Sequence, residues 1–450
     1  MIYQRLYSSV IYPLYHWAKR DGANQAIREL DANENLSPDD LRSATDAKLY
    51  RLLSFASKNV PYYREHFSTI GESKENLDRV TDLYNWPLMS KSVINENLQS
   101  LVSENLVRNG LDANSTGGST GEVLRFYTDW RSGSYRKAAV RRNKRWVGIR
   151  PGDPEVRLWG APIDVDRAKS FRGAVHAFIA REKVLSAYSM DDNTLRSYLE
   201  FCKSYRPKLI VAYPSALAEF AEFCRRNRTS IPSLSAAICS AESLFEHDRK
   251  VIEDVFDVKV YNRYGCREVG DIAQEIPGLT GLAVNSDRVH VEILDEDGKH
   301  CAPGEQGEVV VTDLDNYGMP LIRYRIGDYA RWSEKESAAE VGLPFPVLQS
   351  VDGRTLDVVR TASGHRIGGT YWTLLLRNKP GIRRLQVIQT EPNAVRILYL
   401  PEPDAELDFD YFRAEIAKTC GPEFNVEFVK TERFEHEPGT KFRLVLRKIT

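Results

Sequence analysis

The sequence predicts an α/β fold in which a large N-terminal domain, with parallel sheets and a β subdomain, precedes a small α+β C-terminal domain. Between residues 195 and 265 predicted strands and helices alternate, which favours crossover connections and a parallel sheet. From residue 289 the hydrophobic period changes to the two-residue alternation of β-strands. Near Gly353 a separate β-β-α-β pattern begins. We therefore divide the chain into residues 1–352 and 353–450.

Length and charge narrow the classes of protein to consider. At 450 residues the chain exceeds one ordinary hydrophobic core, so two or more domains are expected. Its 62 Lys and Arg residues balance 63 Asp and Glu residues, a net charge of −1 that gives no sequence-wide support for a nucleic-acid or anionic-membrane partner. We expect no membrane span, because no segment approaches the roughly 20 apolar residues required. Residues 10–15 are interpreted as a packing or interface segment, with peripheral membrane contact as the alternative.

The cysteines and the N-terminal residues favour a cytoplasmic protein. Six cysteines are scattered without a CxxC pair, as is typical of reduced thiols. The first sixteen residues contain neither the apolar core nor the cleavage site of a secretory signal. Cys301 beside His300 lacks the spacing of a metal site. The oligomeric state is left open, and a dimer is possible.

Local signals set the order of the elements. The first strong helix ends at Val60-Pro61, and the second ends at Gly148 and Pro151, because glycine and proline interrupt helices. The segment 295–298 lacks the remaining ligands of a calcium loop and predicts a hairpin turn. The predicted helices cover 40–58, 135–146, 194–205, 216–227, 244–256 and 409–419, and the predicted strands cover 124–128, 208–212, 236–239, 258–261, 290–294, 307–312, 385–390, 394–400 and 425–430.

A run of basic residues lies on the second predicted helix. It reads Arg141-Arg142-Asn143-Lys144-Arg145. We interpret it as a solvated helix face beside a phosphate-binding region, because the rest of the chain has no basic excess. A nucleic-acid-binding module is the weakest alternative, and no nucleic-acid partner is expected.

The stretch from Asn114 to Glu122 predicts a phosphate-binding loop. It concentrates four hydroxyl side chains and three glycines within nine residues. Glycine lets backbone N–H groups approach an oxyanion closely, and hydroxyls add uncharged donors. Glu122-Val123 stands where a Walker A loop would have Lys-Ser/Thr. A solvated linker is the alternative. The candidate phosphate-binding residues are Ser115, Thr116, Gly117, Gly118, Ser119, Thr120 and Gly121.

Three polar segments follow predicted strands of the parallel sheet. They are Tyr213-Pro214-Ser215, Ser240-Ala241-Glu242 and the stretch from Tyr264 to Glu268. Ligands of such sheets bind beyond the carboxyl ends of the strands. We therefore expect these three segments to share one edge and to form a pocket. Further along, residues 319–328 place charges among apolar residues, where burial requires ionic partners.

Taken in order, these stretches resemble the adenylate-forming (ANL) superfamily, and within it the phenylacetate–CoA ligase family, in the branch associated with capsular-polysaccharide biosynthesis. The resemblance covers roughly residues 40–450. It is carried by the loop at 115–121, by Ser240-Ala241-Glu242, by Tyr264-Gly265-Cys266-Arg267-Glu268, by Arg323-Tyr324-Arg325-Ile326-Gly327-Asp328, by Gly353-Arg354 with Asp357 and the glycine stretch Gly364-His365-Arg366-Ile367, and by Gly439-Thr440-Lys441. Six such motifs in this order are far more specific than any one of them.

The resemblance implies a role for each motif. Lys441 would be the catalytic lysine on a mobile C-terminal lid, and Glu268 would bind Mg²⁺. ATP would contact the 115–121 loop together with Ser240, Ala241, Glu242, Tyr264, Gly265, Asp328 and, as a second ribose or phosphate contact, Arg354. Gly364 and His365 would line the channel of the acceptor. Tyr213 would line the acyl pocket, with the region 159–176. Arg323 and Arg325 are expected to be structural and ion-paired.

The implied reaction has two steps. A carboxylic acid is activated by ATP to an acyl-adenylate with release of pyrophosphate, and the acyl group then passes to CoA as a thioester. Attack of one anion on another requires charge neutralisation and alignment, which suits these residues. Transfer to an amine or to a sugar hydroxyl is one alternative. A non-catalytic nucleotide-binding protein that keeps the fold is another.

Three positions depart from the family pattern. Glu122-Val123 replaces the usual Lys-Pro that closes the phosphate loop, so no lysine assists there. Leu356 stands where the hinge commonly has Asp or Lys. The C-terminal motif is Gly-Thr-Lys in place of Ser-Gly-Lys, which keeps the lysine but changes its approach.

Overall fold

A computed structural model gives the fold of the chain. It describes residues 7–19, 22–68, 82–105, 110–116, 124–159, 179, 181–187, 190–335, 337–354, 359–361, 366–367, 372, 375, 382–401, 405, 407–435 and 444–449. After a π-helical turn at Tyr7–Ile11, the α-helices are α1 (Tyr12–Lys19), α2 (Ala23–Asn33), α3 (Pro38–Asn59), α4 (Pro61–Ser68), α5 (Lys91–Glu96), α6 (Trp130–Trp146), α7 (Asp192–Tyr205), α8 (Pro214–Arg226), α9 (Glu246–Phe256) and α10 (Phe409–Cys420). None of these helices is both long and apolar enough to cross a bilayer.

The strands follow the predicted order. They are β1 (Asp112–Ser115), β2 (Arg125–Thr128), β3 (Glu155–Trp159), β4 (Glu182–Ser186), β5 (Leu209–Ala212), β6 (Ala236–Ser240), β7 (Val260–Cys266), β8 (Gly270–Gln274), β9 (Leu282–Val284), β10 (Val289–Leu294), β11 (Gln306–Asp313), β12 (Tyr324–Trp332), β13 (Val347–Arg354), β14 (Val359–Arg360), β15 (Arg366–Ile367), β16 (Ile382–Glu391), β17 (Ala394–Pro401), β18 (Asn425–Lys430) and β19 (Val445–Arg447). Short 3₁₀ turns lie at Leu83–Asn85 and Ala339–Val341.

One large sheet organises the part of residues 1–352 that the structure describes. Its order is β10-β11-β12-β13-β9-β8-β7-β6-β5-β3-β4. The strands from β7 to β4 are parallel, and those from β7 to β10 are antiparallel. Every residue of β5 and β6 is buried, as expected for parallel strands with helices packed on their faces. The predicted α/β fold with a β subdomain is therefore confirmed.

The helices that flank the parallel half begin and end where local chemistry dictates. Asp191 caps α7 by accepting a hydrogen bond from the backbone N–H of Thr194 at 2.8 Å. Pro214 occupies the first turn of α8, where a missing N–H costs nothing. Apolar side chains of these helices, such as Leu199, Phe220 and Ile252, join a core that covers the parallel strands. This packing fixes the carboxyl edge of the sheet.

The C-terminal part has its own sheet and core. The sheet order is β18-β17-β16-β19, with β16 and β17 antiparallel and both outer pairs parallel. α10 packs on this sheet through Phe412 and Ile416. The predicted β-β-α-β pattern is confirmed. β13 extends to Arg354, and the division after residue 352 stays a prediction.

The second predicted helix differs from its interpretation. α6 begins at Trp130, earlier than predicted, because Asp129 accepts a hydrogen bond from the Ser132 N–H at 2.8 Å. The solvated basic face is wrong for Arg142 and Asn143, which are buried. Arg142 binds both carboxylate oxygens of Asp287, at 2.6 and 2.8 Å. Burial of this guanidinium is possible because the carboxylate of Asp287, which is distant in the sequence, neutralises it.

Two more cations of the basic run pair with carboxylates. Arg145 pairs with Asp31 of α2 and with Glu34, which follows α2, and Lys144 pairs with Glu155. A basic stripe paired in this way offers few free cations to phosphates. The expectation that the chain has no nucleic-acid partner stays a prediction.

Candidate nucleotide-binding site

The hairpin of β1 and β2 carries the predicted phosphate loop. Its strands pair antiparallel, with Ser115 opposite Arg125. The hydroxyl of Thr116 accepts a hydrogen bond from the backbone N–H of Leu124 at 3.0 Å, and the Thr116 N–H donates to the Leu124 carbonyl at 2.9 Å. These two bonds close the base of the loop. The loop residues Gly117, Gly118, Ser119, Thr120 and Gly121 lie outside the described residues.

The carboxyl edge of the parallel sheet brings the predicted segments together. Ser240, the last residue of β6, donates its hydroxyl hydrogen bond to the Arg263 carbonyl of β7 at 2.8 Å. The Glu242 carboxylate accepts a hydrogen bond from the Ser215 hydroxyl at 2.7 Å. Ala241 between them has φ +73°, a left-handed conformation that costs an alanine about 1 kcal/mol or more. The side chains of Ser240 and Glu242, which the sequence assigned to nucleotide contact, thus form hydrogen bonds to neighbouring segments of the protein.

Tyr264 and Asp328 meet at this edge. The phenolic hydroxyl of Tyr264 donates a hydrogen bond of 2.9 Å to the Asp328 carboxylate, and both side chains are buried. The stretch Tyr264–Cys266 belongs to β7, so its prediction as a loop is wrong. Gly265 is required by close approach, because a Cβ there would lie 2.5 Å from the Gly270 carbonyl oxygen of β8.

Glu268 follows β7 in the turn to β8. It is 4% exposed, and its carboxylate accepts a hydrogen bond of 2.7 Å from the hydroxyl of Tyr324. Burial, reinforced by the negative charge of Glu268, raises the pKa of Tyr324 far above its ordinary value, so this hydroxyl remains a donor. Burial and the same carboxylate raise the pKa of the Cys266 thiol. The Glu268 carboxylate therefore lies beside two uncharged groups, the Tyr324 hydroxyl and the Cys266 thiol.

Arg136 of α6 fixes the backbone that carries Glu268. Its guanidinium donates to the Arg267 carbonyl at 3.0 Å and also to the Glu268 carbonyl. The buried Asp313 holds the guanidinium at 3.2 Å. Sequence reasoning missed Arg136, because nothing in a basic helix distinguishes one inward arginine from its neighbours.

Two aromatic rings lie near the end of β3 and the start of α8. The rings of Trp159 and Tyr213 have centroids 4.4 Å apart and planes inclined at 32°. Tyr213 is buried and Trp159 is half-buried. Their location beside the carboxyl edge agrees with a wall of an acyl pocket. Gly160 and His176 lie outside the described residues.

The structural role expected for two arginines of the 323–328 stretch is confirmed. Arg323 is buried and forms a two-point pair with Glu292, at 3.1 and 3.0 Å. Arg325 pairs with Glu308 on the neighbouring strand. Both positive charges are therefore neutralised within the β subdomain.

Several predicted site residues are not described structurally. Arg354 pairs through its backbone with Asp328 across β12 and β13. Leu356, Gly364, His365 and Lys441 lie outside the described residues.

The described side chains form a partly buried polar site on one sheet edge. Asp328 and Glu268 supply carboxylate oxygens, which suit ribose hydroxyls and a hard cation respectively. The base of the hydroxyl-rich hairpin is set by residues 116 and 124. Among the described residues no cluster of three or more His, Cys, Asp or Glu could hold a metal by itself. A single carboxylate that shares a cation with phosphate oxygens is a common alternative to such a cluster.

Known proteins resemble this chain in sequence and in fold. The phenylacetate–coenzyme A ligase of Escherichia coli is 26% identical over 317 residues, which span 67% of this chain and 70% of the relative. Protein CapK of Staphylococcus aureus is 21% identical over 421 residues, which span 91% and 90% of the two chains. No family model matches the chain.

A solved structure shows the same fold. It is the structure of 2-hydroxyisobutyryl-CoA ligase in the postadenylation state with an acyl-AMP, and it matches with a TM-score of 0.72 and 18% identity over 92% of this chain and 91% of the other. The chain thus has the fold of adenylate-forming ligases, and its sequence is similar to phenylacetate–coenzyme A ligases and to protein CapK.

Proposed function

We propose that this protein is an AMP-forming acid ligase that joins a carboxylic acid to CoA through an acyl-adenylate. The names of its relatives support this proposal, since several are phenylacetate–CoA ligases. The observation that carries the proposal is a pair of hydrogen bonds between the 264–268 motif and the 323–328 motif. Tyr264 of β7 contacts Asp328 of β12 at 2.9 Å, and Glu268 of the β7–β8 turn contacts Tyr324 of β12 at 2.7 Å.

In the first step a carboxylate oxygen attacks the α-phosphorus of ATP, and the bond to the bridging oxygen breaks as pyrophosphate leaves. We propose that Asp328 accepts hydrogen bonds from the ribose hydroxyls, with Arg354 as a second contact. Tyr264 and Gly265 line the adenosine site together with Ser240, Ala241 and Glu242. The residues from Ser115 to Gly121 surround the phosphates.

Glu268 is the proposed protein ligand of Mg²⁺. Its buried carboxylate fits a hard cation, and its hydrogen bond to Tyr324 fixes its orientation. When bound, Mg²⁺ would supply the positive charge that neutralises the ATP phosphates. Arg136 holds the backbone at Glu268 and so positions this carboxylate.

In the second step the CoA thiolate attacks the acyl carbonyl, and AMP leaves. We propose that residues 353–450 form a mobile unit that brings Lys441 to the first step and then Gly364 and His365 to the acceptor channel. Tyr213 lines the acyl pocket. A cytoplasmic location agrees with this chemistry and with six free cysteines.

The test is a panel of carboxylic acids incubated with the purified chain, ATP and Mg²⁺ and scored by pyrophosphate release. CoA, hydroxylamine and a sugar alcohol serve as separate acceptors. We expect at least one acid to release pyrophosphate and CoA to accelerate turnover. Acceleration by hydroxylamine or by the sugar alcohol without a response to CoA would identify the other acceptor class. ATP binding without pyrophosphate release from any acid would overturn the proposal in favour of a non-catalytic nucleotide-binding protein.

Replacement of Tyr324 by phenylalanine is expected to raise the KM for Mg²⁺–ATP about tenfold. The variant loses a hydrogen bond to the buried Glu268 carboxylate, and such a bond to a charged group contributes about 1.5–3 kcal/mol. The measurement is pyrophosphate release as a function of Mg²⁺ and ATP concentrations. Tyr63→Phe is the matched control, because its buried hydroxyl binds the Pro320 carbonyl at 3.0 Å. Equal KM values in both variants would contradict the assigned role.

A further inference from the structure

The N-terminal helical segment exposes an apolar face. Val10, Leu14 and Trp17 are 43%, 56% and 75% exposed. Their spacing of four and three residues places them on one side of the helical segment that ends in α1. Large apolar side chains that share one exposed face indicate an interaction surface.

Other residues of this segment are packed on the protein. Tyr7 is 3% exposed and lies against Gly152, where a Cβ would approach its ring within 2.8 Å. The guanidinium of Arg141 lies 5.2 Å from the centroid of the Tyr12 ring. Asn24 donates a hydrogen bond of 2.9 Å to the Pro13 carbonyl. These contacts attach the segment to the protein, while Val10, Leu14 and Trp17 remain exposed.

The charges of this segment favour an anionic partner. Residues 1–20 contain Arg5, Lys19 and Arg20 but no Asp or Glu. The whole chain is nearly neutral, with a net charge of −1, so this local excess is a departure from the average. Tryptophan beside Lys and Arg is typical of helices that lie in the membrane–water interface.

Acidic residues of the next helix do not cancel this charge. Asp31 of α2 and Glu34, which follows α2, both pair with Arg145. Glu29 is hydrogen-bonded to Tyr135 and lies 3.7 Å from the Lys48 ammonium. These carboxylates are occupied by cations and donors of the protein itself.

We propose that the face formed by Val10, Leu14 and Trp17 binds the surface of an anionic lipid bilayer. The apolar side chains enter the boundary between headgroups and acyl chains, and the positive charge of the N-terminal sequence attracts the anionic headgroups. The protein would then bind the membrane peripherally. This inference does not depend on the acid-ligase reaction.

Co-sedimentation of the full chain with lipid vesicles tests this proposal. We expect binding to vesicles of phosphatidylcholine with phosphatidylglycerol, weaker binding to phosphatidylcholine alone, and weakening by NaCl because salt screens the basic residues. The double variant Leu14→Ser/Trp17→Ser is expected to bind about tenfold less, because two buried apolar side chains are lost. The variant Lys19→Gln/Arg20→Gln is expected to lose a similar factor on anionic vesicles only.

Tyr50→Ser is the matched control, because Tyr50 is 48% exposed on α3 and lies outside the proposed face. It should bind vesicles as the unmodified chain does. Absence of vesicle binding, or equal binding by the Leu14→Ser/Trp17→Ser variant, would overturn the proposal. A concentration-dependent dimer that this variant abolishes, without vesicle binding, would instead identify a second copy of the chain as the partner.

Discussion

Replacement of Lys441 by alanine is expected to lower the rate of ATP–pyrophosphate exchange by about 10²–10³-fold. Under the proposed function this lysine approaches the carboxylate and the α-phosphate as negative charge develops. Loss of one preorganised donor at such a position typically has an effect of this size. Thioester formation from preformed acyl-adenylate should persist in the variant, because the second step uses another face of the C-terminal domain. Isotope exchange and single-turnover thioester assays measure the two steps separately.

Lys448→Ala provides the matched control for this experiment. Lys448 lies seven residues further along and forms a surface ion pair with Glu435. Its removal takes away one positive charge from the same region without touching the proposed catalytic position. Exchange should remain near the rate of the unmodified protein. If Lys441→Ala also leaves exchange unchanged, Lys441 is not the catalytic lysine.

Replacement of Arg142 by methionine is expected to lower the free energy of unfolding by about 3–5 kcal/mol. The Arg142 and Asp287 side chains are 0% and 3% exposed, so the variant would leave an uncompensated carboxylate in the interior. Asn285 also loses its partner, since its side-chain oxygen accepts a hydrogen bond from Arg142 at 2.8 Å. Chemical denaturation at neutral pH measures the loss.

Arg145→Met on the same helix is the control for stability. Arg145 is 41% exposed, and surface pairs of this kind contribute about 0–1 kcal/mol. A double-mutant cycle with Asp287→Asn should recover part of the loss caused by Arg142→Met, because it removes the uncompensated charge. Equal destabilisation by the Arg142 and Arg145 variants would contradict the assignment of a buried ion pair.

The same pair predicts a pH dependence. Burial alone would raise the pKa of Asp287, but Arg142 and the Asn33 hydrogen bond outweigh it and hold that pKa below the ordinary value of 3.8. A depressed carboxylate pKa contributes stability above the ordinary value and loses it as the pH falls through the folded-state pKa. The stability difference between the unmodified protein and Arg142→Met should therefore shrink as the pH falls from neutral. Protonation of the uncompensated Asp287 first relieves the variant above pH 3.8, and below it the unmodified protein loses the contribution of the pair. Denaturation curves recorded from neutral pH downward check this.

Much of the fold could be predicted from the sequence because its signals are local. Alternation of apolar strands with amphipathic helices indicated the parallel strands β5, β6 and β7, and the two-residue period indicated β10 and β11. Turn and capping residues placed most helix ends within a few positions. The β-β-α-β pattern near the C-terminus could be predicted for the same reason.

The candidate site was predictable in part. Shared placement of Ser240, Glu242 and Tyr264 at one edge followed from the rule for parallel sheets. The extension of β7 through Tyr264 to Cys266 was missed, because its antiparallel partner β8 follows a turn that the sequence pattern did not reveal. The hydrogen bonds of Ser240 to Arg263 and of Glu242 to Ser215 could not be predicted, because each joins residues that are more than 20 positions apart in the sequence.

The fold class, the order of the elements and the motifs that resemble those of adenylate-forming enzymes could be predicted from the sequence, because periodicity and motif chemistry are local properties of the chain. The tertiary structure alone decided which charges are buried. Arg136, Arg142 and Arg145 lie on one basic helix, yet one braces the backbone of Glu268, one pairs with Asp287 in the interior and one remains at the surface. Each outcome depends on an acid or a carbonyl more than 100 residues away, and partners at that distance become neighbours only when the chain folds.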